Sequence, residues 1–308
     1  MSRRERVVAL PLKLATFTSL SSSLLFLLIT FVLLFILTNL RSNLNRIHLN
    51  QVTSVFLSQL IFLLAIERTQ NQSACTLAAI LLHYCCMCSF CWMLVEELHV
   101  YRMMTEIRNI NHRHMTFYYA IGWGVPAVIT GVSVSLDSDG FGSSGFCWLS
   151  LQDSVMWSVV GPFTAVLMVT MVMFVLAVKE SRGQRQTSSE TAELSSSLRS
   201  AILLLLLLSA SWLSGVMAVN SDVIAFNYLF SIFSCLQGVC FFFFYCVFNR
   251  ELRTNLKEIF IRRKRSRELR SQHTTGLSRS LNRKQSFSGD EGLYRTTIGE
   301  STASLNSS

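Results

Sequence analysis

Seven separate apolar runs limit what this chain can fold into: Leu14 to Thr38, Ile47 to Ile66, Ala74 to Met103, Phe117 to Leu136, Val155 to Val178, Leu198 to Val219 and Ile224 to Phe248. A helix needs about 18 consecutive apolar residues to cross the roughly 30 Å hydrocarbon core of a bilayer. Within that core the backbone finds no water to bond, so only helices and closed barrels are viable. Barrel strands alternate apolar and polar residues, and these runs do not alternate. The predicted fold is an all-α membrane protein, a seven-transmembrane helix bundle with a short amphipathic eighth helix. Composition agrees, since only 15% of residues are charged and 51% are hydrophobic. A soluble core that apolar would lack a polar cover.

The second run is the least apolar, interrupted by His48, Asn50, Gln51, Ser54, Ser58 and Gln59. Many of these recur at three- or four-residue spacing, which puts them on one helix face turned toward neighbouring helices and away from lipid.

Loop charge orients the bundle. Arg41, Arg46, Arg102, Arg108, Arg113, Lys179, Arg182, Arg185, Arg199 and the basic tail fall on one side, against Arg3, Arg4, Arg6, Lys13 and Arg68 on the other. The tail is therefore expected in the cytoplasm and the amino terminus outside, in a multi-pass plasma-membrane protein. The basic amino-terminal cluster works against this orientation. The formal charge of +9 sits beside spans and in the tail, which suits a membrane surface and cytoplasmic partners rather than nucleic acid. Ser2 to Ala9 is charge-rich and the apolar run after it is too long for a cleaved signal peptide. Either the first span is itself the signal or the chain is the carboxyl part of something longer.

The expected division is an extracellular remnant at 1–13, the bundle at 14–248, an amphipathic membrane-surface helix at 249–264 and a disordered cytoplasmic tail at 265–308. The helix carries Leu252, Leu256, Ile259 and Phe260 on one face and basic residues on the other. The tail is rich in Ser, Thr, Arg and Asn, and Arg283, Lys284 and Gln285 before Ser286 have the pattern of a basic-directed phosphorylation site, one that any disordered basic tail offers several times. Asn71 begins a glycosylation sequon that is expected to go unused so close to the membrane.

Of nine cysteines, only Cys75 and Cys147 reach the outside under this topology, so a disulfide between them is expected. Cys85, Cys88 and Cys91 recur at helical spacing, but small residues packing between helices explain them better than a metal site. Within the third span stand Glu96, Glu97, His99 and Tyr101. Buried acids in a membrane are costly and usually paired or functional. Glu96 lies 21 residues beyond Cys75, roughly 31 Å of helix, which places it near the cytoplasmic face. His48 falls at the same depth and is placed to hydrogen-bond it as a polar lock. The alternative is that both acids snorkel to the inner water layer. No nucleophile and base, zinc helix or Gly-x-Ser-x-Gly run appears, so no enzyme, cofactor or metal is expected.

The local runs Ser2 to Glu5, Leu10 to Lys13, Ala74 to Thr76, Ile80 to Tyr84, Leu98 to Arg102, Phe117 to Tyr119, Gly122 to Pro126, Phe146 to Ser150, Ser211 to Leu213, Val219 to Asp222, Tyr228 to Phe230 and Gln237 to Gly238 resemble adhesion-class G-protein-coupled receptors. The flamingo/Celsr (seven-pass cadherin) family is the particular likeness, over residues 1 to about 258.

The resemblance implies that Cys75 and Cys147 form the family's extracellular disulfide and that His48 and Glu96 belong to its cytoplasmic-end polar network. It implies that Trp212 supports a tethered agonist and that Gln237 and Gly238 form the span-seven bend. Plainer readings stand beside these: Trp212 as core filler, and Gly238 as a site of close helix packing. Trp148 and Trp157 fall at the outer mouth, either lining a pocket or as interface aromatics. Met104 and Ile107 fall among residues facing a G protein. Ser209, Ser211 and Gly215 in proline-free span six are a place to flex. Glu97 departs from the family, standing where relatives carry a small apolar residue.

The implied partners are a heterotrimeric G protein, a tethered agonist peptide from a missing upstream region, membrane lipids and cytoplasmic polarity or scaffold proteins. No cleavage motif, agonist peptide or cadherin module precedes Ser2, so a fragment, truncated gene model or isoform is expected. The leading function is a receptor bundle that converts an outward event into rearrangement of its cytoplasmic ends. The alternative is a membrane anchor for an adhesion protein of the planar-polarity kind. A transporter is disfavoured, with no repeat and no charged pair at the midplane.

Overall fold

The computed structural model describes residues 3–38, 42–65, 71–105, 115–136, 140–142, 147–148, 156–183, 189–220, 223–250 and 252–268. The chain forms two units, Met1–Arg253 and Thr254–Ser308. The first is a bundle of seven helices: α1 Arg3–Leu37, α2 Asn43–Ala65, α3 Gln72–Thr105, α4 Thr116–Leu136, α5 Met156–Gly183, α6 Ser189–Asn220 and α7 Ile224–Val247. Six are long and apolar enough to cross a membrane. In the 28-residue α5 the apolar stretch is Val160–Leu176, about 25 Å of helix.

Helix α1 starts at Arg3, inside the segment expected to be a separate extracellular remnant. Arg, Glu, Val, Ala and Leu all tolerate helix well, so nothing before Pro11 stops it. Helix α6 likewise outruns its apolar stretch, Ser197–Ala218, by two turns at its start, because helical hydrogen bonding continues past the hydrocarbon boundary wherever propensity allows.

The bundle is built around α3, which packs against α2, α4, α5 and α6, while α7 packs against α1 and α6. Of α3's apolar stretch 72% is buried, against 22% for α4, so α3 is the axis and α4 a lipid-facing flank. Phe35, Val128 and Val172 point outward, as a bilayer requires. Helix α2 turns its polar residues inward: Asn45, His48, Gln51, Ser54, Ser58 and Gln59 are all buried. Asn50, half-buried, accepts a hydrogen bond from Trp123 Nε1 of α4 at 3.1 Å.

Two helices change register. Ala120–Gly124 in α4 and Phe243–Val247 in α7 wind as π-helix, which rotates the residues that follow and is frequent at functional sites. Within the α4 segment Gly122 lies flat against the Trp92 indole of α3, where an added Cβ would overlap the ring. Trp92 is fixed edge-on to Tyr119 and Trp123, with ring centroids at 5.7 and 6.0 Å. Gly122→Ala is therefore expected to lower the melting temperature of the purified chain by roughly 2–10 °C, the effect of about 1–3 kcal/mol of overpacking. Gly124→Ala, whose Cβ meets nothing within 4 Å, is expected to leave it unchanged.

After α7, the Asn249 side chain accepts from the Leu252 N–H at 3.1 Å, capping a further helix that runs through 252–268. Leu252 is buried within the first unit. The helix passes the expected end at Lys264 by a turn, so residues 265–268, read from composition as disordered, are helical. Arg265, Arg267 and Glu268 are good helix formers. Ser286 and the rest of the tail lie outside the described residues.

Candidate functional site

Polar and aromatic side chains gather at two levels of the bundle. The first is at the Cys75 end. Asn71 Oδ1 accepts from the Ala74 N–H at 3.2 Å and caps α3. Cys75, in the first turn, is bonded to Cys147 with Cα atoms 4.8 Å apart. The loop is stitched to α3 nearby. Gln72 Nε2 donates to the Gly142 carbonyl at 2.9 Å, Thr76 Oγ1 donates to the Phe141 carbonyl at 3.1 Å, and the Gly142 N–H donates to the Trp148 carbonyl at 3.1 Å. Gly142 has φ +86° and lies against the Thr76 backbone, a conformation and a closeness that favour glycine.

These links set Trp148, 4% exposed, over a cavity between α1, α2, α3, α6 and α7. Its ring stacks on Trp212 of α6 with centroids 5.1 Å apart and 24° between planes. Phe62 and Phe230, 4.9 Å apart, add apolar wall. The lining also has a polar patch: Gln59 Nε2 donates to Gln237 Oε1 at 3.3 Å, and the Ser211 and Ser234 hydroxyls meet at 3.0 Å. Gln59 Oε1 and Gln237 Nε2 have no partner among the described residues.

Trp157 is not part of this group, standing 71% exposed in the first turn of α5. Gly238 does not line the cavity either. A Cβ there would fall on Ser23 of α1, so glycine allows α1 and α7 to touch. The departure from α-helix in α7 comes later, at Phe243–Val247. In α6, Ser209 donates to the Leu205 carbonyl and Ser214 to the Ala210 carbonyl, each at 2.7 Å, while Gly215 leaves room for the Phe230 ring.

The second level is at the opposite end of α3. Glu96 is 1% exposed and joins three helices. His48 Nε2 of α2 lies 3.1 Å from Oε1, and the Tyr245 hydroxyl of α7 donates to Oε2. The His48 and Tyr245 rings stack on each other, 4.1 Å and 15° apart. The π segment in α7 brings Tyr245 to this position, and that is why hydropathy alone does not single it out from the aromatic run Phe241 to Tyr245.

A neighbouring cluster joins α3 to α4: His99 Nδ1 is 2.9 Å from the Tyr118 hydroxyl, to which Arg102 Nη1 donates at 3.2 Å. Glu97 is fully buried beside Thr170 of α5, and neither carboxylate oxygen has a hydrogen-bond partner among the described residues. Met104 lies on the last turn of α3 with its side chain outside the described residues, as is all of Ile107. Among the described residues no group of three metal-binding side chains is found.

Residues 9–241 match the sequence model of the 7 transmembrane receptor (Secretin family). The whole chain is 49% identical over 308 residues to Cadherin EGF LAG seven-pass G-type receptor 1 of Mus musculus, covering 10% of that protein. It is 44% identical over 257 residues to receptor 2 of the mouse, which is 83% of this chain and 9% of the relative. It is 40% identical over 309 residues to receptor 3 of Rattus norvegicus, which is 100% of this chain and 9% of the relative. The chain spans about a tenth of the length of these curated relatives. A lipid-facing bundle with these relatives is a multi-pass plasma-membrane receptor and not an enzyme. The chain belongs to the secretin family of seven-transmembrane receptors, as the signalling region of an adhesion G-protein-coupled receptor of the flamingo/Celsr type.

Proposed function

We propose that this bundle carries a signal from an agonist in the Trp148–Trp212 cavity to a heterotrimeric G protein at the Glu96 end. The observation that carries the reading is Glu96 itself, one buried carboxylate tying α2, α3 and α7 together. A link of that kind has two discrete states, made and broken. A ligand shifts such an equilibrium only by binding the two states differently. The cavity holds only about 30 Å³ as it stands, so in this reading a hydrophobic peptide tethered upstream enters by displacing Trp148, its apolar side chains then meeting Trp212, Phe62 and Phe230 and a backbone amide meeting the unpartnered atoms of Gln59 and Gln237.

The Cys75 end faces outward and the tail faces the cytoplasm, as the Lys and Arg distribution favours. Breaking the Glu96 links frees the cytoplasmic end of α7 from α2 and α3, and α6, which packs on α7, moves with it. The surface then offered to the G protein comes from loops two and three and includes Met104 and Ile107. Tail-bound polarity or scaffold proteins form a separate output, and Glu96 or Trp212 variants are expected to leave their junctional recruitment intact.

The test is nucleotide exchange on a panel of G-protein α-subunits, with the chain in membranes and a synthetic agonist peptide joined before Ser2. Exchange on at least one α-subunit is expected. Its absence from all of them, despite correct surface folding, would overturn the reading. Trp212→Ala removes one wall of the cavity and the stacking partner of Trp148, and is expected to raise the half-maximal concentration of free agonist peptide by roughly 30-fold, as for a buried aromatic anchor. Trp157→Ala, on the lipid side, is expected to leave it unchanged.

A further inference from the structure

The helix at 252–268 ends in a basic run that the signalling reading leaves unused. Arg262, Arg263, Lys264, Arg265 and Arg267 are all exposed, Ser266 stands exposed among them, and the exposed acid Glu268 follows, leaving a net charge of +4 over 262–268. Successive helical residues are turned by about 100°, so these five cations surround the helix on every side. The described neutralising contact is Glu258 to Arg262 at 3.8 Å, between side chains 59% and 83% exposed. One turn earlier Phe260 is 67% exposed. Cations next to an apolar side chain, just after the last span, match an anionic lipid surface in both charge and polarity.

We propose that Ser266 is a phosphorylation site whose modification releases this helix from anionic phospholipid headgroups. In the modification step the Ser266 hydroxyl oxygen bonds to the γ-phosphorus of ATP held by a protein kinase that selects basic residues, ADP leaves, and the hydroxyl proton passes to the kinase's base. Access is simple, because the Ser266 side chain is exposed. The phosphate adds about −1.5 to −2 charge at pH 7, in the middle of the five cations. That change of charge favours release. Each basic side chain near an anionic surface is worth roughly fivefold in partitioning, so cancelling about two of them weakens attachment by roughly 30-fold. The proposal rests on the cytoplasmic placement of the tail, but the test below uses bilayers open on both faces and does not depend on it.

The experiment is amide hydrogen exchange of residues 254–268 in the full chain, held in nanodiscs of phosphatidylcholine alone or with phosphatidylserine and a phosphoinositide, before and after treatment with protein kinases A and C. Anionic lipid is expected to slow exchange at 254–268, phosphate is expected to appear on Ser266, and exchange is expected to return by roughly 30-fold toward its rate in neutral lipid. Ser266→Asp should reproduce part of the release, and Ser266→Ala should keep protection after kinase treatment. Four results would overturn the proposal: equal protection in neutral and anionic discs, no phosphate on Ser266 with either kinase, phosphorylation without release, and protection reproduced in neutral discs by soluble inositol hexakisphosphate or an acidic helix-binding protein.

Discussion

Glu96→Ala is expected to raise basal nucleotide exchange at least tenfold, with the variant still reaching the cell surface. The substitution removes the acceptor of two buried interactions at once, from His48 and from Tyr245. At about 1.5 kcal/mol each, their loss destabilises the closed bundle by about 3 kcal/mol, roughly a 100-fold shift in the closed-to-open ratio. His48 Nε2 and the Tyr245 hydroxyl are left buried without that partner in the closed form, whereas opening gives both access to water. The shift therefore runs toward the open state. Glu96→Gln, which keeps an acceptor oxygen of nearly the same shape, is expected to rise by less. Tyr245→Phe added to Glu96→Ala is expected to raise exchange little beyond Glu96→Ala alone, because both remove the same bond. Basal exchange unchanged in Glu96→Ala at normal surface levels would remove the latch from the mechanism.

Cys147→Ser is expected to lower the melting temperature of the purified chain by roughly 4–15 °C and to abolish most of the response to agonist peptide. The bond closes a 72-residue separation, and bridging a loop of that order contributes about 2–4 kcal/mol. Its second effect is on the cavity. Trp148 follows Cys147 directly, so without the bond the indole over Trp212 loses its covalent anchor and keeps its packing on Ala79, Leu82, Cys86 and Phe141 and the Gly142 hydrogen bond. Cys75→Ser and the double variant are expected to match Cys147→Ser, since all three lose one and the same bond. A melting temperature identical to that of the unmodified chain would show that the hydrogen bonds to α3 suffice.

The extra acid has no comparable partner. Glu97 is buried next to Glu96 and beside Thr170, and Glu97→Met, which keeps the volume without the buried carboxylate, is expected to stabilise the bundle. A raised melting temperature of the purified variant is the measurement that checks it.

The seven spans and the inward face of α2 were legible in the sequence because they follow from local rules. Hydrocarbon thickness sets run length, and the helical repeat puts His48, Gln51, Ser58 and Gln59 on one side. The Cys75–Cys147 pairing came from the topology set by loop charge, which leaves those two cysteines outside, and the shared depth of His48 and Glu96 from counting residues along a helix of known rise. The role of Tyr245 could not be counted. It depends on the π turn at Phe243–Val247, which shifts α7's register by an amount that hydropathy does not encode. Trp148 and Trp157 were equivalent as sequence, two tryptophans near one mouth. The loop's stitching to α3 separates them, turning Trp148 inward and leaving Trp157 toward lipid.

Gly122 and Gly238 teach the same lesson, since each is explained by a ring or backbone from another helix. The apolar runs by themselves determined that the chain is a seven-helix bundle and which helix faces turn inward, because water and lipid act on each segment separately. Which side chains meet across helices, and hence the Trp148–Trp212 cavity and the Glu96 latch, was decided only by the tertiary structure. Those contacts depend on relative rotation and depth, which packing sets jointly for all seven helices.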